Sequence, residues 1–294
     1  MKRNEINVRD PYILVEDSKY YLYGTRGYQC WEEGEGLDVY VSDDLENWSG
    51  PTEVFTKPEG FWADKNFWAP EVHKYNGSFY MLVSFKSDDR CRGTQILKAD
   101  SPMGPFLPHS DGPVTPKEWE CLDGTLYVEN GVPYMVFCHE WVQVKDGEMC
   151  AIQLTEDLKE AVGEPILLFT ASEPSWSTGL GESSWSEGSK AKNYVTDGPF
   201  LYKTEGGRLI MIWSSFASGA YCEALAYSDN GSLLGKWEHD ERLLFAEDGG
   251  HGMIFRDKSG RLKFVCHQPN IKLKERPVMV DLMEAAETLY AVQD

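Results

Sequence analysis

Basic clusters, long apolar runs and metal-type cysteine spacings are all missing from this sequence. Against 48 Asp and Glu there are only 28 Lys and Arg, a net charge of −20 that repels nucleic-acid phosphates and anionic lipid. No apolar run is long enough for a helix to span a bilayer, and Met1 to Asp10 holds Lys2 and Arg3 but no leader-type apolar core. The cysteines number seven, scattered and without a Cys-x-x-Cys pair, which excludes the usual zinc and dithiol frameworks. Free thiols imply a reducing compartment: cytoplasmic if the chain is full length, secreted or periplasmic if a leader has been removed. A Gly-x-Ser-x-Gly elbow, a Gly-Lys-Ser/Thr phosphate loop and a His-Glu-x-x-His zinc pair are also absent, so serine, nucleotide and zinc hydrolysis have no support.

Aromatic residues are abundant. Ten Trp, fifteen Tyr and thirteen Phe, within a hydrophobic share of 41%, suffice for a large core and leave rings that could stack on sugars. The main organisational signal is a module of apolar strand, tight turn and second apolar strand, repeated five times. It reads Ile13 to Tyr23, Glu71 to Val83, Thr125 to Phe137, Phe200 to Trp213 and Met253 to Val265, with turns such as Asn76-Gly77, Asn130-Gly131 and Gly206-Gly207. With Tyr20, Tyr80, Tyr134, Leu209 and Leu262 as equivalents, the spacings are 60, 54, 75 and 53 residues, each near one four-stranded blade. The excess in the third gap falls in residues 170–194, a Ser-, Trp- and Gly-rich stretch that reads as a long loop on the functional face. The prediction is an all-β, five-bladed β-propeller of four antiparallel strands per blade, with residues 1–294 as a single catalytic domain.

In a propeller the inner strands converge on a central channel, so polar residues that open those strands share one pocket. Asp10 in Arg9-Asp10-Pro11, Asp123 in Leu122-Asp123-Gly124 and Asp197 in Thr196-Asp197-Gly198-Pro199 fit that description. A turn cap explains any one of them. Three converging like charges cost stability and point to chemistry.

Arg9-Asp10-Pro11 with Tyr20-Tyr21-Leu22-Tyr23, Trp68-Ala69-Pro70-Glu71-Val72, Asp123, and Asp197-Gly198-Pro199 resemble the successive motifs of glycoside hydrolase family 43. The resemblance spans all five modules. It implies a glycosidase that inverts configuration, acting on arabinofuranosyl or xylosyl units at the ends of xylan- or arabinan-type fragments. It further implies that Asp10 is the general base, that Asp123 tunes and orients the acid, and that Asp197 is the acid. Family members typically place Glu where Asp197 stands, one methylene longer. Glu140, Glu182 and Glu187 are the substitute acids. For inversion the two working carboxyls should stand about 6.5 to 9.5 Å apart, leaving room for water.

The same resemblance makes Arg276 a substrate contact and His251, in Gly249-Gly250-His251-Gly252, an axial residue that can support Ca²⁺. No cofactor is otherwise required. Trp68 and Trp213 are candidate stacking platforms. The expected partner is an oligosaccharide or polysaccharide, with neither nucleic acid nor membrane. Two other readings remain: a non-catalytic carbohydrate-binding propeller, in which Asp for Glu marks a lost acid, and a retaining fructan-type hydrolase. The surviving Asp10 and Asp123 weigh against the first, and Trp-Ala-Pro-Glu against the second.

Overall fold

The computed structural model describes residues 1–180 and 193–292. Twenty strands form five four-stranded antiparallel sheets, each paired in simple chain order. Blade one holds β1 (Val8–Glu16), β2 (Lys19–Arg26), β3 (Gly36–Ser42) and β4 (Trp48–Thr56). Blade two holds β5 (Lys65–Tyr75), β6 (Ser78–Ser87), β7 (Arg90–Ala99) and β8 (Leu107–Pro113). Blade three holds β9 (Cys121–Glu129), β10 (Val132–His139), β11 (Glu148–Leu154) and β12 (Ala161–Thr170), with one helical turn, α1 (Trp141–Val144), between β10 and β11. Blade four holds β13 (Asp197–Lys203), β14 (Leu209–Ala217), β15 (Ala220–Ser228) and β16 (Trp237–Phe245). Blade five holds β17 (Gly250–Arg256), β18 (Leu262–Gln268), β19 (Arg276–Ala285) and β20 (Thr288–Ala291). The five-bladed propeller expected from the repeats is therefore present.

The inner strands close a ring: β1 packs on β5, β5 on β9, β9 on β13, β13 on β17, and β17 on β1. Each second strand is sandwiched between neighbouring blades, which is why Met81 to Phe85, Met135 to Cys138 and Leu209 to Trp213 are buried without alternation. A fully buried side chain of this size contributes roughly 1.5–3 kcal/mol. Outer strands such as β12, with Val162, Ile166 and Leu167 exposed, face solvent. The Asn76-Gly77 and Asn130-Gly131 hairpins have positive φ at both central residues, as their sequence demands.

One backbone device recurs around the ring. Near the start of every inner strand the register with the second strand slips and a residue takes a left-handed conformation, with Asn66 (φ 52) doing so as a second such residue in β5. The others are Asp10 (φ 52), Ala69 (φ 48), Asp123 (φ 59), Gly198 (φ 50) and His251 (φ 50). Arg9, Asp10, Trp68, Leu122, Asp123, Asp197 and His251, all at these slips, line one cleft. Asp197 sits one residue ahead of its bulge, whereas Asp10 and Asp123 are the bulge residues themselves.

Candidate active site

The bulges open onto a cleft of about 860 Å³, lined by Asp10, Asp123, Asp197, His251, Trp68, Glu140 and residues from every blade. Its walls carry Trp31, Trp68, Trp141, Phe216 and Tyr221, and its cations are Arg9, Arg92 and Lys272. The three aspartates expected to share a pocket do share one.

Each bulge amide needs an acceptor, because it is buried and off the ladder. Four are served by the preceding blade's second strand. The Ala69 N–H donates to Thr25 Oγ1 (2.7 Å), Asp123 N–H to Ser84 Oγ (2.9 Å), His251 N–H to Ser214 Oγ (2.6 Å), and Asp10 N–H to His267 Nδ1 (3.2 Å). At the fifth junction the equivalent second-strand residue is Cys138, and the Gly198 N–H donates instead to Asp123 Oδ2 at 3.1 Å. Asp123 thereby holds the turn that presents Asp197.

The carboxyls stand in different surroundings. Burial alone would raise Asp10, but His251, Arg9 and the Thr25 hydroxyl (2.6 Å) outweigh it and hold Asp10 below the usual carboxylate range. His251 Nδ1 lies 3.3 Å from Asp10 Oδ1 and 3.7 Å from Asp123 Oδ2. His267 contributes position and not charge: burial pushes its pKa down to about 3, and its Nδ1 already accepts the Asp10 amide. Its 3.4 Å approach to Asp10 Oδ1 is therefore no ion pair. Asp123 is pushed well up by burial and by Asp10, against the opposing Gly198 amide. Asp197 is pushed well up by burial and by Asp123, against His251 and a 3.0 Å hydrogen bond from the Tyr221 hydroxyl. Burial and Asp197 likewise keep Tyr221 protonated, so it remains a donor.

Glu140 lines the cleft, but its carboxylate is engaged by Arg92, whose other arm donates to Asn66 and whose guanidinium lies 4.5 Å from the centre of the Trp68 ring. Burial nevertheless raises Glu140. Glu182 and Glu187 lie outside the described residues. Trp68 is in the cleft, its indole N–H donating to Cys30 O at 2.6 Å and its ring meeting Trp31 edge-on at 5.1 Å.

Two expectations need correction. Trp213 is fully buried against Phe169 and Trp176 and lines no part of the cleft, because it belongs to a strand pressed between two blades. Arg276 is turned away from the cleft and donates to the carbonyls of Asn4 (3.0 Å), Leu273 (3.3 Å) and Glu275 (2.7 Å). It ties the last blade to the first segment of the chain. As for calcium, the carboxylate oxygens nearest His251 are Asp10 Oδ1 and Asp123 Oδ2, and the second already accepts the Gly198 amide. Among the described residues no group of three or more His, Cys, Asp or Glu is arranged to hold a metal. Ca²⁺ prefers six to eight oxygens, and the described side chains beside His251 supply the carboxylates of Asp10 and Asp123.

Thr25, Ser84, Cys138, Ser214, His267, Arg92 and Tyr221 were not singled out from sequence. The first five share a readable signal: each ends the apolar run of a module's second strand.

The family model for glycosyl hydrolases family 43 matches residues 5–286. The chain belongs to glycoside hydrolase family 43. This family 43 glycosidase superposes on the crystal structure of an endo-arabinase from Bacteroides thetaiotaomicron VPI-5482 with a TM-score of 0.89, at 39% identity, covering 97% of this chain and 98% of that one. A thermostable family-43 glycoside hydrolase gives a TM-score of 0.82 at 23% identity, covering 98% and 93%, which speaks to the fold. An extracellular endo-α-(1→5)-L-arabinanase of Bacillus subtilis (strain 168) is 33% identical over 48% of this chain and 46% of its own length. A xylosidase/arabinosidase of Bacteroides ovatus is 26% identical over 42% of each chain. The chain spans less than half the length of these curated relatives.

Proposed function

We propose that this glycosidase hydrolyses α-1,5-linked arabinan by an inverting single displacement. The observation that carries the reading is that Asp10 and Asp197 line one cleft in unlike company, Asp10 accepting from Thr25 beside His251 and Asp197 taking the Tyr221 hydroxyl beside Asp123, with the first pKa lowered and the second raised. Asp10 takes a proton from water as that water attacks the anomeric carbon. Asp197 gives its proton to the departing glycosidic oxygen, and the carbon–oxygen bond breaks as the new one forms. Asp123 fixes the Gly198 turn behind the acid. Each cation on the cleft wall already faces a carboxylate: Arg9 with Glu275, Arg92 with Glu140, Lys272 with Glu32. A neutral pentose polymer suits that wall better than a uronate-rich one.

The choice of arabinan, and of internal bonds, draws on the full-length likeness to the B. thetaiotaomicron endo-arabinase and on the B. subtilis arabinanase. Release of terminal arabinofuranosyl or xylosyl units is the second reading, favoured by the xylosidase/arabinosidase relative. Linear arabinan digested by wild type, Asp10→Asn and Asp197→Asn, with products resolved by chain length, tests both. Mixed oligomers early in the digest support internal cleavage, and monomer alone supports the second reading. Both variants should lose on the order of 10²–10⁴-fold in kcat. Wild-type levels in either variant would remove that residue from its role, and an inert wild type on arabinan, xylan and galactan fragments would end the hydrolytic reading.

A further inference from the structure

Four of the five bulge amides are capped by a side chain from the preceding blade, and the exception is the junction that carries the proposed acid. At that junction β10 supplies Cys138 opposite Leu122, the register position held by Thr25, Ser84, Ser214 and His267 in the other blades. A thiol is a poor hydrogen-bond acceptor. The Gly198 amide therefore goes to Asp123 Oδ2. Cys138 is buried beside both Asp123 and Asp197, and burial followed by those two charges keeps its thiol protonated.

We infer that Cys138 is a positioning residue for this reaction: by offering the Gly198 amide no acceptor it leaves that amide to Asp123, which fixes the turn that presents Asp197. The inference rests on the reading of Asp197 as the general acid. An N–H bond to a carboxylate stabilises its charged form. Asp123 and Asp197 repel each other when both are ionised, so whichever is better served by donors carries the charge. Asp123 faces Asp10 on β1, Arg92 on β7, Cys138 and Glu140 at the end of β10, Asp197 on β13 and His251 on β17. Of these only His251 is also shared with Asp197 as a favourable neighbour, and Tyr221 donates to Asp197 alone. The Gly198 amide is thus a bond that links Asp123 to the residue next to Asp197. A hydroxyl at position 138 has the reach to take it, since Thr25, Ser84 and Ser214 bridge the same step in 2.6–2.9 Å.

Cys138→Ser and Cys138→Ala separate this role from simple packing. Both shrink the side chain, and only serine supplies an acceptor. The substrates are linear arabinan and an aryl α-1,5-arabinotrioside whose 4-nitrophenol leaves without protonation. In Cys138→Ser, kcat on arabinan should fall at least tenfold while aryl cleavage stays within about threefold, because only the first needs Asp197's proton. Cys138→Ala should stay within about threefold of wild type on both. Cys138→Thr, which copies the Thr25 position, repeats the test should the serine variant not fold. Serine and alanine variants that behave alike on arabinan, with wild type active, would overturn the inference and leave the proposed function standing. A wild type inert on both substrates would overturn the function reading and the inference together.

Discussion

Asp197 and Asp10 differ less in burial than in company. Asp10 accepts from Thr25 and faces His251 and Arg9, while Asp197 has Asp123 as its main charged neighbour and Tyr221 as donor. The Tyr221 hydroxyl stabilises the ionised form of Asp197, so removing it should raise the acid further. In Tyr221→Phe the alkaline limb of kcat/KM, which reports loss of the acid's proton, should move to higher pH by up to about one unit. A pH–rate profile with an unmoved or lowered limb would detach Tyr221 from the acid. Glu223 makes a separate test of burial. It is fully buried, accepts from Ser214 Oγ (2.7 Å) and the Gly252 amide (3.1 Å), and its Oε1 has no partner among the described residues. Burial raises its pKa from 4.5 to about 8. Its folded pKa lies above the unfolded one, so its contribution is fully present below pH 4.5 and is lost as pH rises through about 8. Glu223→Gln cannot ionise in either state. Its melting temperature relative to wild type should therefore climb from pH 5 to pH 8, by the equivalent of about 1 kcal/mol per pH unit. Parallel melting curves across that range would show the carboxyl to be ionised in the fold.

At the scale of elements, the five inner-strand bulges set the site. Gly198 has a φ of 50° and its absent Cβ would fall 2.6 Å from His251 Cδ2, so Gly198→Ala should disturb both the acid's turn and the imidazole. Gly207, at a hairpin tip with φ 93° and open space around it, isolates the backbone cost alone. Gly198→Ala should lose at least tenfold in activity. Gly207→Ala should lose about 1 kcal/mol of stability and keep its rate, and equal rates in the two variants would deny the bulge its part. The blades themselves were legible because hairpin turns and apolar runs are local signals that repeat. Asp10 and Asp123 were legible because they occupy the same bulge position in two repeats, and Asp197 because it opens the same strand of a third, one residue earlier. Trp213 misled because its ring type fits both a platform and a core, and only the packing of β14 between two blades decides between them. Arg276 misled because its partners are backbone carbonyls, one of them, Asn4, at the far end of the sequence. Arg92 and Tyr221 reach the cleft from third strands, whose registers no short pattern fixes.

At the scale of the whole molecule, blade one is built only from the first strands and blade five only from the last, so no strand is shared where the ring shuts. That joint relies on β1 packing against β17 and β18, and on side chains. Glu275, fully buried, pairs with Arg9 at 3.0 Å, Asn7 Nδ2 donates to Glu275 O at 3.0 Å, and the Lys258 amide donates to the Tyr20 hydroxyl at 2.9 Å. Arg276→Ala removes one hydrogen bond across the joint, to Asn4, and two within its own segment, and should cost about 1–2 kcal/mol, a fall of roughly 2–5 °C in Tm, with KM for arabinan changed less than twofold. A tenfold rise in KM at unchanged Tm would return Arg276 to the substrate. Because Asp10 lies on one side of this joint and His251 and His267 on the other, the clasp of the ring and the proposed base are one structure. Under mild denaturant the molecule should fall silent as a catalyst while its five sheets, each paired within itself, still give the spectrum of a folded protein.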